Sequence, residues 1–117
     1  HRFLKPNGLF LLHTIAGNIS VTSTDHWIEK YIFPNSMLPS IKQLGESMEK
    51  LFVMEDWHNF GADYDKTLMA WDLNFRKNWH KFEAKYGQRF YNMWRFYLMT
   101  SAAQFSSRRI QLWQIVL

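Results

Sequence analysis

At 117 residues the chain is one domain at most, and long enough to bury a core if it is complete. Its net charge of +4 is dispersed, with Arg108-Arg109 the densest basic pair, so composition offers no case for nucleic acid but permits attraction to an anionic membrane surface. The lack of cysteine excludes a disulfide framework and a thiolate metal site, and no apolar run approaches the length of a membrane span or a signal-peptide core.

Lys5-Pro6-Asn7-Gly8 is a turn signal, followed by the continuous apolar run Leu9 to Leu12. Such a run reads as a strand buried on both faces, as in a parallel sheet, with His13 at its end. A native domain that opens at a turn into a central parallel strand is expected to have further sequence upstream, because parallel strands need crossover partners. Ala16 to Thr24 is a polar loop of small residues. Asp25 is placed to cap a short helix over His26 to Ile32, stopped before Pro34. Leu38-Pro39-Ser40 opens a second helix, Ile41 to Glu49, with Ile41, Leu44 and Met48 on one face.

Leu51 to Trp57 alternates as a strand, ended by Asn59-Phe60-Gly61. Asp63 or Asp65 then caps a long helix whose apolar stripe is Leu68, Trp71, Phe75, Trp79, Phe82 and Tyr86, with Gly87 as its stop. A further helix carries Phe90, Trp94, Tyr97, Ser101 and Phe105 on one face. Ile110 to Leu117 closes the chain as an alternating strand. The order strand, helices, strand, two helices, strand is that of the second half of an open α/β sheet.

Several residues are candidates for chemistry. Open α/β sheets bind ligands beyond the carboxyl ends of their strands, so a histidine where Leu9 to Leu12 runs out is well placed to meet one. The alternative for His13 is a hydrogen bond to a neighbouring loop. Tyr64 follows Gly61-Ala62-Asp63 at a helix start, where anions are favoured and a phenol can donate to one; the alternative is a packed ring satisfied locally. Glu55, Asp56 and His58 match no established metal spacing, and strand alternation separates Glu55 and Trp57 from Asp56 and His58. Ten Phe, six Trp and five Tyr suit either an aromatic-lined cavity or a Trp-rich core, and the Leu68 to Tyr86 stripe reads first as core. No glycine-rich cofactor loop and no nucleophile elbow is present.

Four segments occur in a fixed order: Leu11-Leu12-His13-Thr14-Ile15, then Tyr31-Ile32-Phe33-Pro34, then Met54 to Asp65 with Leu68-Met69-Ala70-Trp71, then Ile110-Gln111-Leu112-Trp113-Gln114. Together they resemble the C-terminal part of the cyclopropane-fatty-acyl-phospholipid synthase family, the S-adenosylmethionine-dependent lipid methyltransferases that include the mycolic acid cyclopropane synthases. The likeness runs from Leu4 to Val116. It implies that residues 1–117 are the C-terminal part of one catalytic domain, the C-terminal half of a Rossmann-like class I methyltransferase sheet, with three strands and packed helices. The cofactor-binding N-terminal half is expected outside this chain.

The resemblance also implies the reaction. A methylene from S-adenosylmethionine is added across a cis double bond of an unsaturated phospholipid acyl chain, with bicarbonate as the base. It maps bicarbonate contacts onto the His13 side chain, the Ile15 backbone and the Tyr64 hydroxyl. The family's other bicarbonate ligands, a cysteine and a glutamate, lie further upstream and have no counterpart here. No protein residue is assigned to a metal. The expected setting is cytoplasmic, peripheral to the inner face of the membrane, with transient membrane-surface contact, no nucleic acid, and a homodimer among the allowed assemblies. Two other readings stand beside this one: a related lipid C-methyltransferase that quenches its cation differently, and a non-catalytic lipid-binding fragment or gene remnant.

Overall fold

A computed structural model describes residues 2–117 and shows one three-stranded sheet packed with helices. The strand that comes last in sequence, β3 (Ile110–Val116), lies in the middle, between β1 (Leu11–Gly17) and β2 (Asp56–Asn59). Both outer strands run antiparallel to it, and His13 and His58 both face Gln114 across the ladder. Burial follows this order: Leu112, Trp113 and Ile115 of β3 are in the core. The α/β class expected from the sequence is therefore present, with antiparallel pairing throughout.

The two outer strands are displaced from their predicted places. The run Leu9 to Leu12 is not a parallel strand buried on both faces: Leu9 is 68% exposed and Leu11 56%. Pairing extends through Gly17, so His13 lies within β1 rather than at its end. An unbroken apolar run contains no alternation from which to read register, and here the partner β3 sets it. Likewise β2 starts at Asp56 rather than Leu51. The N–H groups of Leu51 and Phe52 bond the Met48 carbonyl at the end of the second helix, and a backbone hydrogen bond to β3 appears where Glu55 N–H meets the Val116 carbonyl.

The first two helices form where predicted. In α1 (His26–Tyr31), the Asp25 carboxylate accepts the N–H groups of Trp27 at 2.9 Å and Ile28 at 3.3 Å. In α2 (Ile41–Met48), Ser40 and Gln43 make a reciprocal capping box. The predicted long helix is instead two. Its first part, α3 (Gly61–Asn78), starts before Asp63 and Asp65, which sit inside its opening turns and cap nothing. The Asn59 side chain accepts the Gly61 N–H at 2.9 Å in their place. A side chain at Gly61 would meet the backbone of Gln111 and Leu112 at 3.2 Å, so the helix start can lie directly against β3. A single 3₁₀ turn, Trp79–Lys81, separates α3 from α4 (Glu83–Ser106). Gly87 interrupts α4 with φ of 69°, the left-handed backbone expected of a stop.

The sheet buries two faces separately. On one, Ala16, Trp113, Ile115 and Leu117 pack with Met48 of α2, and Trp57 meets Trp113 edge-on at 4.9 Å. On the other, Leu112 packs with Leu68 of α3 and with Leu98, Ala102 and Phe105 of α4; Ile15 and Tyr64 lean on this cluster. Residues of opposite parity on β1 thus serve opposite cores, as strand alternation requires.

Candidate functional site

A cavity of about 520 Å³ lies where the end of β1, the 18–25 loop and α1 meet α3 and α4. Its interior is largely apolar: Ile15, Ile28, Phe33, Leu68, Trp71 and Phe105 contribute to the wall. Polar groups, Asn18, Gln104 and Arg109 among them, also line it. This is the size and character of a site for an apolar small-molecule portion with a few orienting polar groups.

Tyr64 and Ile15, named from sequence, both line this cavity. The Tyr64 ring is held edge-on by Phe105 at 4.9 Å and by Trp71 at 6.0 Å, which fixes the direction of its hydroxyl. The Ile15 backbone is oriented by the ladder. Phe10 and Leu117 exchange both backbone hydrogen bonds, at 2.8 and 2.9 Å. Alternation in an antiparallel pair then turns the N–H and C=O of Leu11, His13, Ile15 and Gly17 away from β3, toward the outer edge of β1. Gly17 N–H does point that way and bonds the Pro39 carbonyl at 3.0 Å. The Ile15 carbonyl accepts the Thr14 hydroxyl at 2.9 Å.

His13 stands one pleat from Ile15 on the same face of β1 but is exposed and is not among the cavity-lining residues. Across Gln114 from it, His58 stacks on Phe60 at 4.0 Å, with Asp56 on the same face and Trp57 on the other, as alternation predicts. Among the described residues, no group of three His, Cys, Asp or Glu side chains is arranged to hold a metal ion.

Tyr97 and Ser101 also line the cavity. The sequence placed both on the apolar face of α4 without suggesting a role. Burial pushes the Tyr97 phenol above the ordinary tyrosine value; the neighbouring Tyr64 phenol adds to this, and a hydrogen bond with Ser101 opposes it. The available signal was a hydroxyl four residues after a tyrosine in an otherwise aromatic stripe.

Residues 1–115 match the family model described as mycolic acid cyclopropane synthetase. The cyclopropane-fatty-acyl-phospholipid synthase of Escherichia coli (strain K12) is 54% identical over 115 residues, which cover 98% of this chain and 30% of that protein. The sphingolipid C9-methyltransferase A of Emericella nidulans is 33% identical over 95 residues, or 78% of this chain and 18% of that protein. Among solved structures, the mycolic acid cyclopropane synthase CmaA1 complexed with SAH and CTAB superposes with a TM-score of 0.86 at 26% identity, over 99% of this chain and 46% of that one. The cyclopropane synthase MmaA2 from Mycobacterium tuberculosis gives a TM-score of 0.87 at 24% identity, over 98% of this chain and 45% of that one, and shows the same fold. The chain thus spans about 30% of the length of the E. coli synthase it matches.

Proposed function

Because this chain belongs to the mycolic acid cyclopropane synthetase family, we propose that residues 1–117 are the C-terminal part of one methyltransferase catalytic domain. The whole protein then adds a methylene across a cis double bond of an unsaturated phospholipid acyl chain. The observation that carries this reading is the apolar cavity with the Tyr64 phenol and Ile15 on its wall. In this reaction class S-adenosylmethionine supplies the methyl group and bicarbonate the base.

The residues present suit a small oxyanion. Tyr64 offers an oriented O–H, Ile15 an N–H turned to the strand edge, and His13 a ring one pleat away. An anion held by these donors stabilises a carbocation beside it and is placed to take its proton. The apolar wall keeps out water that would trap the cation. Trp71 and Phe105 on the wall are aromatic rings, the side-chain type that attracts positive charge. The described residues contain no glycine-rich loop for S-adenosylmethionine, so its binding is assigned to the rest of the protein.

The acyl substrate places the protein at the cytoplasmic membrane surface, which the net charge of +4 favours. No helix among the described residues is long and apolar enough to cross a membrane. The likeness to a sphingolipid C9-methyltransferase favours one second reading, methylation of a lipid alkene without ring closure.

The test uses the longest in-frame protein containing these residues, incubated with S-adenosylmethionine and vesicles of unsaturated phospholipid. Acyl chains one methylene heavier, with no vinylic proton signal at the modified position, are expected. Retained vinylic protons would support the second reading. Tyr64→Phe keeps the ring and loses the donor, and should lower the rate by about 10²-fold or more. Unchanged acyl mass in the wild type, with vesicle binding intact, would leave a lipid-binding fragment as the better account.

A further inference from the structure

We propose that the turn joining α3 to α4 is the surface by which the protein seats on an anionic phospholipid membrane, with Lys81, Lys85 and Arg89 on lipid phosphates and the Phe82 and Tyr86 rings in the headgroup layer. This rests on the reading above that the substrate is a phospholipid acyl chain, and adds where the bilayer lies.

Charge is the first observation. Over the whole chain it looks dispersed, but residues 76–95 hold six of the 14 Lys and Arg and one of the ten Asp and Glu, a net +5 against −1 for all the rest. Two of the six, Arg76 and Arg95, are engaged by Asp72. Among the described residues, Lys77, Lys81, Lys85 and Arg89 have no carboxylate within ion-pair reach, and all four are exposed. Cations without internal partners, gathered about one turn, are complementary to an anionic surface; each raises affinity about fivefold within a Debye length of it.

Exposed rings stand among these cations. Phe82 is 45% exposed and Tyr86 44%, and Lys85 Nζ lies 5.1 Å from the centre of the Tyr86 ring. Rings and long cationic stems side by side suit the boundary between headgroups and acyl chains, where the rings sink below the phosphates and the charges stay level with them.

The same end of α4 leads to the cavity. Ring contacts follow one side of the helix from Tyr86 to Phe90 at 4.9 Å, Phe90 to Trp94 at 6.0 Å and Trp94 to Tyr97 at 5.2 Å, and Tyr97 is on the cavity wall. On the adjoining side, Arg89, Met93 and Phe96 line a groove of about 300 Å³ with Trp27 and Tyr31 of α1; Ile28, the next residue of α1, lines the cavity. From Tyr86 to Tyr97 an α-helix rises about 16 Å, close to the ~15 Å that the acyl chains of one leaflet span. A lipid whose phosphate rests at the turn therefore has the chain length to reach the cavity.

The test uses the longest in-frame protein and measures cosedimentation with vesicles of phosphatidylglycerol or of phosphatidylcholine, without S-adenosylmethionine. The wild type should prefer the anionic vesicles, and Lys81→Gln with Lys85→Gln should weaken that binding about tenfold or more at low salt. The same loss of charge at α2, Lys42→Gln with Lys50→Gln, should weaken it less than about threefold, since α2 packs on the opposite face of the sheet. Phe82→Ser should weaken binding to both kinds of vesicle, with thermal unfolding of every variant unchanged. Equal losses in the two lysine pairs mean that net charge alone is felt, and overturn the proposal. Full binding by the turn variant also overturns it, and points to cover of the turn by chain outside residues 1–117 or by a second copy. The reaction is judged separately: methyl transfer with the turn variant bound as tightly as wild type keeps the reaction and removes this surface, whereas the expected binding losses without methyl transfer by the wild type keep the surface and remove the reaction.

Discussion

Among the described residues, Asp72 is the one buried acidic side chain, 1% exposed, and two arginines converge on it. Arg76, one turn along α3, and Arg95, from α4, each place Nε 2.8 Å from one of its oxygens. The pair of contacts ties the two helices together at a point where apolar packing alone would be expected. It also explains why the aromatic stripe was misread. Leu68, Trp71, Phe75 and Trp79 have helical spacing, but Leu68, Asp72, Phe75 and Trp79 have it equally well. A carboxylate is not counted as a core residue, because its burial is favourable only with partners that lie far away in sequence. Hence Trp71 was assigned to the core; instead it is 46% exposed and reaches the cavity wall. Asp72→Ala should lower the unfolding free energy by about 2–4 kcal/mol in denaturant titration; the arginine side chains keep some contact with water, which holds the figure below that of a fully buried network. Asp63→Ala, which breaks a solvent-exposed pair with Lys66, should leave it essentially unchanged. Equal losses at the two sites would refute the ranking.

Among the elements, those with a local cause were legible. A side-chain cap before His26, the Leu38-Pro39-Ser40 opening before Ile41 and an alternating apolar run from Ile110 gave α1, α2 and β3 close to their observed bounds. The edge strands and the division between α3 and α4 depend on partners distant in sequence, and these were misplaced. The same contrast holds at the site. Tyr64 announces itself at a helix start, whereas Tyr97 becomes notable only when α4 folds against α3. Gly87 is the local signal with the sharpest consequence. It has φ of 69° and ψ of 169°, a region open essentially to glycine alone, and nothing lies within 4 Å of an added Cβ. The cost of Gly87→Ala is therefore backbone strain without a clash, about 1–3 kcal/mol of stability. Replacement by D-alanine, whose preferences mirror those of L-alanine, should restore most of it. A Gly87→Ala protein as stable as wild type would show that the bend tolerates another backbone path.

At the scale of the molecule, the described chain is elongated, 52 × 27 × 26 Å with a radius of gyration of 17.2 Å, against about 13 Å for a compact domain near 100 residues. Much apolar surface is left outside: Leu9, Phe10 and Leu11 are all exposed, at one end of β1. They adjoin the outer edge of that strand, where the N–H and C=O groups of Leu11, His13 and Ile15 face away from β3. An apolar edge whose backbone groups are not paired by a neighbouring strand is a template for one. Under the proposal that residues 1–117 are part of a longer catalytic domain, that strand comes from chain outside these residues and pairs at Leu11 and His13, short of the Ile15 N–H. Residues 1–117 expressed alone should therefore self-associate at micromolar concentration and bind a hydrophobic dye, while the longest in-frame protein does neither to the same degree. Sedimentation velocity and dye fluorescence across a dilution series measure both. Lysine at Leu9 and Leu11, a charge placed on the edge, should suppress association of the 117-residue piece and leave its helix content unchanged. A piece that is monomeric and dye-silent without those lysines would mean that the edge of β1 is protected by its own twist and loops, and the expected covering strand would lose its physical argument.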